Sequence, residues 1–255
     1  MGFALHAAAP RRLLSAASLL LLAAHAAAAQ RTFEVRRGSA EYDMTVRVED
    51  TRPGAARADL PEAFSRKAQI RIHRKGARSP FQVINLPNIE VYEESLAYDA
   101  ETEAEPRRLY EEEYSFVFDD FNFDGRQDFA VCNGREGGYG GPSYTVFLFD
   151  RRAKRFAESR RLSRLTEAPY LGLFFPDPKT ERLVAHSKSG CCYHATEKYA
   201  VVNSRPVLVE KVVEDATLEG GGGEGFVVVT TRKRVGGRWV VRRRKEKIEE
   251  GNAPD

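Results

Sequence analysis

The chain of 255 residues carries 40 Lys and Arg against 37 Asp and Glu, with 42% hydrophobic residues, 30% charged residues and three cysteines. That length holds one large domain or two small ones. The balance excludes a polytopic membrane protein, a fibrous repeat, a disulfide-dense miniprotein and a wholly disordered chain.

The first 29 residues read as a cleaved export signal. Arg11 and Arg12 form a positive n-region, residues 13–24 an apolar core, and Ala27, Ala28 and Ala29 the small residues before cleavage. The apolar stretch is short and ends at Gln30-Arg31, which argues against a membrane span. No cysteine precedes Cys132, so no lipobox is present and no membrane anchor is evident. Residues 30–255 are expected to form a single β-rich domain, exported to the periplasm. Removing Arg11 and Arg12 from 40 basic residues leaves 38 against 37 acidic ones, with no surplus for nucleic acid.

Strand patterns dominate the rest. Residues 32–36, 42–48 and 68–73 alternate apolar and polar, and 81–86 follows a Lys-Gly-Ala turn. Three apolar runs at 114–118, 128–132 and 143–149 surround two loops rich in Gly and Asp. Strands are further expected at 182–187, 196–202 and 207–213, the last two split by a turn at 203–206. Residues 226–235 and 238–247 read as a hairpin about Gly236-Gly237. The basic run from Arg242 to Lys245, followed by Glu246, Glu249 and Glu250, reads as a solvated strand end. Helical turns are expected only at 60–66 and 162–165, with a loop over 52–60. The predicted class is all-β, many short antiparallel strands, β-propeller-like, with sandwich or barrel as alternatives.

The most specific chemical signal is the loop from Asp120 to Asp128. Asp120, Asn122, Asp124 and Asp128 stand at positions 1, 3, 5 and 9 of a calcium loop, Gly125 at position 6, and the Arg126 carbonyl at position 7. A hard cation needs six to eight oxygens, so alternate side chains must curl inward. Position 12 is Val131 instead of a bidentate Glu, and a strand follows, so this is no EF-hand. It is similar to strand–loop–strand calcium loops of integrin-type β proteins, with a structural role for the ion. The competing reading is an Asx-rich turn without metal.

Next, Gly137, Gly138, Gly140 and Gly141 bracket Tyr139, followed by Ser143. One reading is a hairpin loop whose glycines allow positive φ. The other is a projecting loop that presents Tyr139 to a partner, since tyrosine offers large contact area at low rotamer cost. Further on, residues 186–194 hold Cys191 and Cys192 between His186 and His194. Vicinal cysteines rarely share one tetrahedral zinc. In an oxidising compartment the expectation is Cys132 paired with Cys191 or Cys192; a Cys191–Cys192 bridge and free thiols are the alternatives.

Taken together, the Asp120–Asp128 loop, the run from Gly137 to Asp150, the Ser189-Gly-Cys-Cys-Tyr193-His segment, Tyr199 and residues 205–209 resemble one periplasmic family. These are the immunity proteins of the bacteria-killing type IV secretion system of xanthomonad-like bacteria. The resemblance covers residues 110–215 well and the remainder only in being β-rich. It implies a propeller-like fold with a calcium site, similar to periplasmic inhibitors of i-type lysozyme, and a lysozyme-like peptidoglycan hydrolase effector as partner. It assigns calcium to Asp120, Asn122, Asp124, Arg126 and Asp128. It gives the inserted loop to Gly138, Tyr139, Gly140 and Ser143. Ser189 and Tyr193 resemble a short Ser-Gly-x-x-Tyr signature of lysozyme inhibitors, a rival or companion contact. The missing lipobox departs from lipoprotein members of the family.

No His-Glu-x-x-His, Gly-x-Ser-x-Gly or Gly-Lys-Ser/Thr pattern occurs, so no enzyme is expected. Calcium and solvent account for the carboxylates at Asp119-Asp120 and 111–113. The alternative function is a calcium-dependent adhesion or glycan-binding module without catalysis.

Overall fold

The computed structural model describes residues 29–50, 67–98, 114–223 and 225–248. The expected signal segment up to residue 28, the loop and helical turns within 52–66, and the carboxylates at 111–113 lie outside the described residues.

Three sheets are built among the described residues. The first is an antiparallel meander of β1 (Ala29–Val35), β2 (Tyr42–Asp50), β3 (Ala68–Arg74) and β4 (Gln82–Leu86). The second comprises β5 (Ala97–Tyr98), β6 (Phe116–Asp119), β7 (Asp128–Gly134), β8 (Ser143–Asp150) and β9 (Arg155–Glu158). Only β5 and β6 run parallel. The third comprises β10 (Phe175–Asp177), β11 (Arg182–Ser189), β12 (Tyr193–Val202), β13 (Arg205–Asp215), β14 (Phe226–Val235) and β15 (Arg238–Lys247). Spatial order equals chain order in every sheet, the blade-like meander of propellers, and none closes into a barrel.

The two kinds of apolar pattern mark two kinds of burial. In β3, Ala68, Ile70 and Ile72 point into the core while Gln69, Arg71 and His73 do not, as a strand with one buried face requires. The unbroken apolar runs of β6, β7 and β8 belong to the middle sheet, which is buried on both faces. Phe116, Phe118, Phe129, Val131, Phe147 and Phe149 pack against Met44, Val46, Ile70 and Ile72 of the first sheet. Their alternates Val117, Ala130, Cys132, Tyr144, Val146 and Leu148 pack with Leu183, Ala185 and Tyr199 of the third. Phe129 stacks on Phe147 at 4.8 Å and meets Phe156 of β9 edge-on, also at 4.8 Å. Truncating such a ring to Ala costs about 3–5 kcal/mol.

Turn chemistry sets the hairpins. Asn203 and Ser204 both adopt positive φ between β12 and β13, and Gly236 and Gly237 do so between β14 and β15, the geometry that matches strand twist. The expected helical turn at 162–165 lies within α1 (Arg160–Ser163) and the 3-10 turn Arg164–Thr166. Strands β5, β9 and β10 are two to four residues long and carry no alternation long enough to predict them. Among the described residues no helix is long and apolar enough to cross a membrane.

Candidate functional site

The loop from Asp120 to Asp128 joins β6 to β7 and holds its shape by turning carboxylates onto its own backbone. Asp120 accepts the N–H groups of Asp124 (3.0 Å) and Gly125 (2.6 Å). Asn122 Oδ1 accepts Asp124 N–H at 3.1 Å, and Asp124 Oδ1 accepts Arg126 N–H at 3.0 Å. Gly125, at φ +76°, makes the sharp turn its position in the pattern predicted. Asp128 opens β7, fully buried, and accepts N–H from Phe121 (3.0 Å) and from Phe149 on β8 (2.8 Å). Burial pushes its carboxyl up to about 8 against the pull of the Phe149 N–H, and the charges of Asp120 and Asp124 add to the rise. Burial likewise pushes Asp119 up to about 6.

Three mutually repelling carboxyl groups and an all-oxygen donor set suit a hard divalent cation. Their N–H bonds leave lone pairs free, since each ionised carboxylate has about four acceptor sites. Even so, no three His, Cys, Asp or Glu side chains among the described residues stand together as a ready-made metal cluster. A cation would draw on Asn122 and the Arg126 carbonyl as well.

The glycine-rich loop is packed. A Cβ on Gly138 would lie 2.8 Å from the Pro169 carbonyl oxygen, and one on Gly141 2.6 Å from that of Leu171. The backbone of 137–141 therefore lies flat against 169–171, with Gly138 N–H donating to the Tyr170 carbonyl. Tyr139 sits at φ +58° in the 3-10 turn Gly138–Gly140, its side chain directed outward and the residue 68% exposed. Ser143, expected at the contact surface, is instead 1% exposed. Its hydroxyl donates to Asn133 Oδ1 at 2.7 Å and accepts Glu136 N–H at 3.2 Å, so it braces the loop from within.

The two predicted contact segments meet. Gly190 N–H, in the turn between β11 and β12, donates to the Tyr139 hydroxyl. Lys188 Nζ stands 5.7 Å from the centre of the Tyr139 ring, in cation–π range. Ser189 is exposed beside them, and Tyr193, half-buried, pairs with Ser189 across the turn. Tyr139 is thus a pinned ring on a joint surface, not a free finger.

Beneath this surface is a polar network centred on the buried Glu197, with three members that no sequence motif marked: Glu197 itself and the half-buried Tyr170 and Lys211. Glu197 accepts both the Tyr170 hydroxyl (2.8 Å) and the Tyr199 hydroxyl, and Lys211 Nζ reaches its other oxygen at 2.7 Å. Burial pushes the Glu197 carboxyl up, but the bonds from Lys211 and the two tyrosines outweigh it and hold it below the usual carboxylate range. Burial raises the Tyr170 phenol to about 12. Because Tyr170 also carries the Gly138 bond, the network anchors the glycine-rich loop to β12 and β13. Glu197 and Tyr199 stand two apart on one strand face, the only sign of the network in the sequence.

The cysteines depart from the expected pairing. Cys191 is bridged to Cys192, and Cys132 is free and fully buried. Cys132 belongs to β7, on the middle-sheet face lined by Val146 and Leu183, whereas Cys191 and Cys192 occupy the outer turn of β11 and β12. Burial and the nearby Glu90 carboxylate push its thiol up to about 12. His186 bonds Thr196, and His194 Nε2 contacts the Cys191 carbonyl at 3.2 Å.

No protein-family model matches this sequence, and no curated protein matches it. A solved structure described as a Xanthomonas type IV secretion system related protein superposes on it with a TM-score of 0.60 and 24% identity. The match covers 84% of this chain and 92% of that one. The chain therefore shares the fold of that Xanthomonas protein.

Proposed function

We propose that this chain is an exported, calcium-binding immunity or inhibitor protein that seats its glycine-bracketed Tyr139 in the active-site cleft of a lysozyme-like peptidoglycan hydrolase. The observation that carries the reading is the joint surface of Tyr139 and the Ser189–Tyr193 turn, tied by the Gly190 bond. The type IV secretion relation of the similar Xanthomonas fold supports the setting.

The chemistry suits a glycosidase cleft, which presents two carboxyl groups. By accepting Gly190 N–H, the Tyr139 oxygen leaves its own proton free to donate to such a carboxylate. Lys188 beside the ring adds a positive charge to the same surface. A ring already pinned loses little entropy on docking, which favours affinity. Neither the phenol nor the glycine backbone offers a glycosidic bond to cleave. Calcium at Asp120–Asp128 would sit at the far end of the β7–β8 hairpin from Tyr139, where Asp128 bonds Phe149, and would act by stabilising that sheet.

The test is stoichiometric titration of the mature protein, with calcium, into peptidoglycan lysis by lysozyme-like hydrolases, including any encoded beside its gene. Inhibition lost on Tyr139→Ala supports the reading. Inhibition that survives moves the contact to Ser189–Tyr193. Glycan binding with no hydrolase inhibited would favour the adhesion module instead.

A further inference from the structure

The third sheet ends in a strand whose outer edge is open among the described residues. β15 pairs only with β14, and all ten of its residues are exposed. The register from Phe226↔Lys247 to Val235↔Arg238 runs without a bulge, and β15 contains no proline. Natural edge strands are blunted by shortness, bulges, prolines or charge. Here charge alone does so: six Lys or Arg in ten residues against a single Glu.

Two features go beyond a solvated strand end. Trp239, Val240 and Val241 form a consecutive apolar trio, 39%, 42% and 56% exposed. Aromatic rings on this hairpin are held by cations: Arg232 lies 5.1 Å over Trp239 and Lys245 4.9 Å over Phe226. Such contacts hold the rings in place before a partner docks.

We propose that the free edge of β15 is a docking strand for an extended acidic segment of a partner protein, which adds as a seventh strand of this sheet. Strand addition satisfies the open backbone groups, and alternate side chains set specificity. A second copy of this chain is disfavoured, because pairing two β15 strands would set like charges opposite one another. A flat anionic surface would meet one face of the hairpin. The cations lie on both, with Arg242 and Arg244 on one face and Arg243 and Lys245 on the other. A strand added at the edge meets both rows at once. β15 contributes no residue to the Tyr139 surface.

The experiment titrates the full mature protein with three fluorescent decapeptides: alternating Glu and Val, alternating Lys and Val, and the Glu–Val peptide N-methylated at every second residue. Phosphatidylglycerol vesicles form the fourth arm. The Glu–Val peptide is expected to bind and to raise hydrogen-exchange protection along 238–247, while the Lys–Val and N-methylated peptides fail. Arg242→Glu with Lys247→Glu, one charge from each face, should weaken Glu–Val binding at least about tenfold and gain binding of Lys–Val, with unchanged melting. Failure of Glu–Val to bind, or equal binding of the N-methylated peptide, overturns the proposal. Vesicle binding without peptide binding replaces it with a lipid surface.

Discussion

The phenol oxygen of Tyr139 accepts the backbone N–H of Gly190, and this bond joins two loops 51 residues apart in the chain. It turns two separate sequence signals into one surface. It also explains how an exposed tyrosine keeps a left-handed backbone, since the ring is held at both its hydroxyl and its face. Left-handed φ costs a non-glycine residue about 1–2 kcal/mol. Tyr139→Gly removes that cost and adds chain entropy to the unfolded state. The expected result is a melting temperature near that of the parent with hydrolase inhibition abolished. A variant that melts like the parent and still inhibits would remove Tyr139 from the mechanism.

Calcium should stabilise the protein through the Asp120–Asp128 loop. A ligand that binds only the folded state at a hundredfold its Kd contributes about 2.7 kcal/mol. Thermal melts with EDTA and with millimolar calcium should differ by several degrees. Asp120→Asn keeps one acceptor for the loop N–H groups but removes the charge, and should lose most of the shift. Identical melts with and without calcium would leave an Asx-rich turn.

Acid stability should depend on Glu197. Its folded carboxyl is held below the ordinary value of 4.5 by Lys211 and the two tyrosines. The stability it contributes is complete above that ordinary value and is lost as pH falls through the lowered folded one. Urea melts from about pH 6 to about pH 3 should show a steep decline that Glu197→Gln flattens. The same substitution should loosen the glycine-rich loop through Tyr170, seen as faster amide exchange at Gly138. Parallel pH profiles in parent and variant would show that the network carries no such linkage.

Thiol chemistry distinguishes the cysteine pairings directly. The native protein should not react with Ellman's reagent, because Cys132 is 0% exposed and its thiol is pushed up to about 12. Denatured without reductant, it should release one thiol equivalent, and Cys132→Ala should release none. Non-reducing peptide mapping that joins Cys132 to the 191–192 segment would contradict the structure.

Local periodicity and turn chemistry were sufficient, in the sequence alone, for the all-β class and for twelve of the fifteen strands among the described residues, because side-chain alternation and positive-φ turn residues act within a few residues of themselves. The turns at Asn203-Ser204, Gly125 and Gly236-Gly237 were legible for that reason. Tertiary structure alone decided that the apolar runs of β6, β7 and β8 form a sheet buried on both faces, since periodicity reports that a face is buried but not by what. It also decided that Cys132 is shut away from the bridged Cys191 and Cys192, that Ser143 is internal, and that Tyr170, Glu197 and Lys211 converge under the glycine-rich loop. Each of these relations links residues of different strands or loops, and sheet pairing and close packing bring such groups together in ways that no local pattern encodes.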